Sequence, residues 1–211
     1  MRKFSFSRKS LGVPYALFLF VFVIAPLLVL FYYAFTDGQG QFTIANLTGF
    51  FTNPNTLGTL CYSFALAIVT TAVCLLLAYP IAYILAFSNI KSKSVILMLF
   101  VMPMWINFSL RITALKEVLT VLEGNLAMHP FLNAVIGMTY DFLPFMILPI
   151  YTTISRLDKA LREAAMDLGA NEFETFLKIT LPLSVPGIIS GVSMVFLPAM
   201  TNYVVLDMLY N

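Results

Sequence analysis

The sequence predicts an all-α membrane protein, a polytopic bundle of helices, and three observations carry that prediction. Sixty per cent of the 211 residues are apolar or aromatic and 10% are charged, where soluble domains carry about 25% charge. Mean hydropathy is +0.91. The apolar residues are gathered into five runs of near-span length, and about 20 residues at 1.5 Å rise cross the hydrocarbon. Backbone groups in lipid must be satisfied within the segment, so these runs are expected as helices and not as open strands.

The first run, Tyr15–Phe35, follows a tail (1–14) that holds Arg2, Lys3, Arg8 and Lys9. It is longer than a secretory signal core and no small-x-small cleavage site follows, so a retained anchor is expected. A polar loop with one charged residue, Asp37, leads to the second run, Leu60–Phe87. The third is Val95–Leu110, and the second polar loop, at about 112–130, contains LKEVLTVL, a candidate helix lying at the membrane surface. The fourth and fifth are Phe131–Tyr151 and Leu183–Leu206. Each run contains proline: Pro26, Pro80, Pro103, Pro144 with Pro149, and Pro186 with Pro198. Proline removes a backbone bond and kinks a helix, which suits a bundle that encloses a cavity and moves.

Charge sets the orientation. With the N-terminus in the cytoplasm, Arg2, Lys3, Arg8, Lys9, Lys91, Lys93, Arg156, Lys159, Arg162 and Lys178 fall inside, and only Arg111 and Lys116 fall outside. The positive-inside rule therefore places the segment 155–182 in the cytoplasm.

That segment is the most informative part of the chain. Leu157, Leu161, Ala164, Ala165 and Leu168 recur at helical spacing, with Arg156, Lys159, Arg162, Glu163 and Asp167 around them. Gly169 is placed to take a left-handed conformation and end the helix. Asn171 and Glu174 stand in capping-box register for a second helix over 172–180. Phe173, Phe176, Leu177 and Ile179 are expected to be buried, and Pro182 to close that helix. A surface helix with its stripe in the headgroup region would share several of these features.

Glu163, Ala164, Ala165, Gly169, Ile179, Leu181 and Pro182 complete the pattern E-A-A-x3-G-x9-I-x-L-P. This resembles the signature loop of permease subunits of binding-protein-dependent ABC importers. LPFMILPIYTTISRLDKALREAAMDLGA, VMPMWINFSLRITALKEVL and YPIAYILAF look like the corresponding stretches of spermidine and putrescine permeases, over about residues 60–207. The resemblance implies a bundle of the ABC importer permease type over 15–211, in the inner membrane, working by alternating access. It implies two copies of an ATPase that carry ATP and Mg, a second permease and an external substrate-binding protein. It also implies that Glu163 to Gly169, Leu168 included, enters a groove on the ATPase, and that Ile179, Leu181 and Pro182 tie the turn to the fifth helix. Family permeases usually have a sixth span; the sequence ends at Asn211, just after the fifth, and a shortened product is expected.

Ionisable groups inside spans are costly and usually functional. Asp141, with Tyr140, Trp105, Asn107 and Asp207, is a candidate path for a flexible polycation, held by carboxylates and ring faces. The alternative is that Asp141 pairs with Arg111 or a neighbouring hydroxyl and only fixes helix packing.

No cofactor is expected on this chain, and no enzyme site. There is no G-x-x-x-x-G-K-[ST] loop, so ATP must bind elsewhere, and no G-x-S-x-G or H-E-x-x-H. His129 is the only histidine, and Cys61 and Cys74 lie about 20 Å apart along one expected helix, so no metal cluster or internal disulfide is expected. Net charge of +2 does not suggest nucleic acid. A carrier driven by an ion gradient, with Asp141 as its ion or proton site, is the rival reading; within the resembled class, iron or another small solute is an alternative cargo.

Overall fold

The computed structural model describes residues 12–88 and 90–210. The basic residues Arg2, Lys3, Arg8 and Lys9 of the expected tail lie outside them. Among the described residues the structure is helical, apart from one isolated antiparallel bridge between Thr36 and Phe42. The chain divides into two compact units, Met1–Leu60 and Cys61–Asn211.

The first unit is built on α1 (Gly12–Ala34). A π turn at Phe20–Ile24 interrupts its regular bonding, with the Ala25 N–H donating to the Phe20 carbonyl. Pro26 follows at once, and a widened turn gives its ring room beside the preceding carbonyls. The loop after α1 folds on itself. The Asp37 carboxylate accepts the N–H groups of Gln39 and Gln41, both at 2.9 Å, and Gly40 takes φ +78°. The Asn46 amide donates to the Tyr33 and Thr36 carbonyls, satisfying orphan acceptors at the end of α1. Ala45–Thr52 forms α2.

The second unit holds most of α3 (Pro54–Phe87), which runs through Pro80 without a break. Beyond it the expected third span, 95–110, is not one straight helix. Lys93–Val101 (α4) runs into a 3-10 turn, Met102–Trp105, and Phe108–Glu123 (α5) leaves at 99° to it. Local chemistry explains the elbow. Pro103 has no N–H to donate, Ile106 is extended at ψ 143°, and the Asn107 side chain accepts the Ser109 N–H at 2.9 Å to start a new helix. LKEVLTVL therefore belongs to the 16-residue α5. Among the described residues, four helices are long and apolar enough to cross a membrane, or five if the bent pair counts as one span.

Pro130–Ser155 (α6) is the central helix, burying Asn133, Met138, Asp141, Met146, Ile147, Ile150 and Ile154 among others. Lys159–Asp167 (α7) follows, then α8 (Glu172–Thr201) and α9 (Val204–Tyr210). The fifth expected span is thus displaced: its helix begins eleven residues before 183 and stops at Thr201, with Asn202 and Tyr203 outside helix.

α6 and α8 pack at backbone distance. A Cβ on Gly187 would lie 2.6 Å from Thr153 Oγ1 and 2.8 Å from the Pro149 carbonyl, and one on Gly191 would lie 2.7 Å from Met146 Sδ. Gly187 and Gly191 form a G-x-x-x-G pair, continued one helical turn at a time by Val195 and Ala199, both buried. In lipid, such small-residue faces are what allow helices to gain van der Waals contact. α3 joins this pair through its own small residues Ala67, Cys74, Ala78 and Ala82, all at 0% exposure. Val205 and Leu209 of α9 close over Gly137.

Candidate functional site

The polar elbow between α6 and α8 is ordered by its own backbone chemistry. α6 ends as the N–H groups of Arg156 and Leu157 turn back to Thr153 and Ile154. The Asp158 carboxylate then accepts the Ala160 N–H at 3.0 Å and caps α7. The regular helix expected from Ser155 therefore starts at Lys159, because α6 uses Ser155 itself. At the far end Gly169 takes φ +90°. Its N–H donates to Met166 at 2.9 Å, and the Ala170 N–H donates to Ala165 at 3.1 Å. These are the two bonds of a Schellman cap.

The capping box is present in full. The Asn171 side chain accepts the Glu174 N–H at 2.8 Å, and the Glu174 carboxylate accepts the Asn171 N–H at 3.2 Å. That bond, followed by Lys178, holds the Glu174 carboxyl below the usual carboxylate range. Pro182 does not close this second helix. A π turn at Phe176–Thr180, with the Leu181 N–H donating to Phe176, carries the chain past it into α8. The same device stands before Pro26.

Phe176 and Ile179 are half-buried as expected, but Phe173 and Leu177 are exposed. Ile179 shares a small cavity with Phe87, Leu157, Leu161 and Leu183, so the turn is tied to the start of the apolar part of α8. Leu181 is half-buried and Pro182 exposed. Glu163 and Ala164 are exposed, Ala165 half-buried, Leu168 is 89% exposed and Phe173 67%. Leu168 and Phe173 are thus large apolar side chains held open on an ordered, charged elbow.

Inside the elbow, side chains join three helices. Tyr79, Tyr83 and Phe87 occur at i, i+4 and i+8 on α3. Phe176 meets Tyr79 and Tyr83 edge-on, with ring centres 5.8 and 5.5 Å apart, and Tyr83 meets Phe87 at 4.9 Å. The Tyr79 and Ser184 hydroxyls are hydrogen-bonded at 2.9 Å. At the other end, the Arg162 guanidinium sits 4.8 Å above the Phe87 ring and donates to Glu172 at 3.1 Å. Aromatic spacing on α3 was a usable signal in the sequence, as was Gly187-x-x-x-Gly191; the meeting with Phe176 and Arg162 depends on tertiary packing.

The candidate path residues are more dispersed. Asp141 and Arg111 are both buried and form an ion pair linking α6 to α5. The Arg111 Nε and Nη1 atoms have no hydrogen-bond partner among the described residues. Tyr140 is exposed, so it faces away from its buried neighbour Asp141. Trp105, 78% exposed, and Asn107 stand at the α4–α5 elbow. Asp207 is exposed on α9. Arg111 and Asp141 are brought into contact. Cys61 is exposed and Cys74 buried, both as free thiols.

A bundle of helices long and apolar enough to cross a membrane, with one bent pair and an ordered polar elbow, defines a polytopic helical membrane protein. Residues 78–211 match the family described as "Binding-protein-dependent transport system inner membrane component". The chain is 35% identical, over 97% of its length and 78% of the relative's, to the spermidine/putrescine transport system permease protein PotB of Haemophilus influenzae. It is 38% identical to PotB of Escherichia coli over 80% of this chain and 66% of that protein. A PotB homolog of Mycoplasma genitalium is 33% identical over 68% of this chain and 53% of its own length. The chain therefore belongs to the inner membrane permease components of binding-protein-dependent transport systems.

Proposed function

We propose that this chain is a permease subunit of an ATP-driven importer of polyamines such as spermidine and putrescine. The observation that carries the reading is the elbow at 155–182. It is ordered by a Schellman cap and a capping box, yet it holds Leu168 and Phe173 open to solvent. In this reading its N-terminal side is cytoplasmic and Glu163 to Gly169 enters a groove on an ATPase subunit. Two such subunits bind ATP and Mg, a second permease completes the pathway, and an external binding protein delivers the substrate. The polyamine assignment is supported by identity of 35–38% to PotB proteins over most of the chain.

Trp105 and Tyr140 offer ring faces that attract ammonium groups. Asp141 is already engaged by Arg111, so a polycation gains its carboxylate only by displacing the guanidinium. Asn107 and Asp207 complete the proposed path.

The test is uptake of labelled spermidine into proteoliposomes holding the full complex. Uptake should require ATP inside or outside according to the side of the elbow, should need the binding protein, and should survive collapse of ion gradients. Uptake that needs a gradient and no ATPase would instead favour an ion-driven carrier. Competition by iron or another small solute, with none by polyamines, would reassign the cargo.

A further inference from the structure

The coupling elbow is continuous in the chain with α6 and α8, but α3 belongs to a different part of the sequence. Force on the elbow reaches α3 only through side chains. Side chains supply that route: Arg162 over Phe87, Phe176 against Tyr79 and Tyr83, and the Tyr79–Ser184 hydrogen bond, with the Arg162–Glu172 pair tying α7 to α8. Arg162 is the joint among them, since it belongs to α7, pairs with the first residue of α8 and covers the last ring of α3. Its side chain is 25% exposed while that of Glu172 is 76% exposed. The ion pair alone is therefore well screened, and the partly desolvated ring contact carries more of the attachment.

The position on α3 matters as much as the contact. Tyr83 and Phe87 lie beyond Pro80, where the helix has lost a backbone bond and resists bending less. The last two turns of α3 are thus hinged at one end and fastened to the elbow at the other.

We propose that Arg162 is a positioning residue that clamps the end of α3 to the elbow through Phe87, so that the elbow's movement swings α3 beyond Pro80. This rests on the coupling role proposed above. The clamp does not touch substrate or nucleotide; it determines how much of the elbow's displacement is delivered to the bundle.

The experiment uses the complete complex in proteoliposomes, measuring polyamine transported per ATP hydrolysed, together with recovery of the ATPase subunit through this chain. Arg162→Ala and Phe87→Leu should each lower the ratio about tenfold, the factor expected for loss of a partly buried cation–ring contact. Arg162→Lys keeps a cation over the ring and should retain more than half of the ratio. Exchanging the charges, Arg162→Glu with Glu172→Arg, restores the ion pair but not the ring contact and should stay low. In every variant the ATPase should be recovered as with the wild type.

An unchanged ratio in Arg162→Ala and Phe87→Leu would overturn the clamp. So would full rescue by the charge exchange, or loss of ATPase recovery in Arg162→Ala, which would make Arg162 a docking contact. Failure of the coupling reading looks different: the wild-type chain itself would recover no ATPase, and the clamp would fall with it.

Discussion

Gly169 separates backbone geometry from side-chain volume as the cause of coupling. Its φ is +90°, and a Cβ placed there meets nothing within 4 Å. A Cβ therefore meets no neighbour in this chain, and the penalty it brings is backbone strain. An alanine held with positive φ costs about 1–2 kcal/mol, and a β-branched residue about 3 kcal/mol. Asparagine visits this region more readily and costs less than about 1 kcal/mol. Relaxing the strain would break the Gly169–Met166 and Ala170–Ala165 bonds that end α7. The population of the ordered elbow should fall by a factor of about 10 for Ala and up to about 150 for Val. Measured as polyamine moved per ATP in the reconstituted complex, the order should be Gly, Asn, Ala, Val. Asparagine is larger than alanine, so a ranking by size, or a fully coupled Gly169→Val, would refute the strain argument.

Gly187→Ala drives a Cβ against the Pro149 carbonyl and Thr153 and should destabilise the bundle by about 1–3 kcal/mol. Gly191→Ala presses mainly on the flexible end of Met146 and should cost less, which thermal unfolding in detergent compares directly. Asp141→Asn or Arg111→Met alone should cost about 3–5 kcal/mol by stranding a buried partner, and the double variant should recover most of it in a double-mutant cycle. A carboxyl held low on folding stabilises above its unfolded value of 4.5 and loses that contribution as pH falls through its lowered native value. Amide protection at Asn171 and Glu174, corrected for intrinsic exchange, should drop in the wild type as pH falls below 4.5 and through the lowered native value, and should be pH-insensitive there in Glu174→Gln.

Legibility followed the range of the interactions. Gly169 and the Asn171–Glu174 box were readable because a cap is satisfied within a few residues of itself. The long helices were readable because lipid forces every backbone bond inward, which makes composition sufficient. Composition carries no direction, so the elbow at Trp105–Phe108 was hidden inside an apolar run. Pro182 was misleading for a related reason: proline forbids the ordinary turn, and a π turn that accommodates it leaves no residue signature. Phe173 and Leu177 were expected inside on hydrophobicity alone, yet an exposed apolar side chain looks the same in sequence as a buried one. Asp141 could be singled out as costly, but whether Arg111 reached it depended on how α5 packs on α6.

The account stands on contact between the elbow and an ATPase subunit. With single cysteines in place of Leu168 and of Phe173, in a chain whose Cys61 and Cys74 are replaced, cross-linking in the assembled complex reads that contact directly. Both positions should join to the nucleotide-hydrolysing subunit, with a yield that changes when ATP binds. Labelling of both cysteines by a membrane-impermeant reagent from the external side, with no cross-link to that subunit, would contradict it.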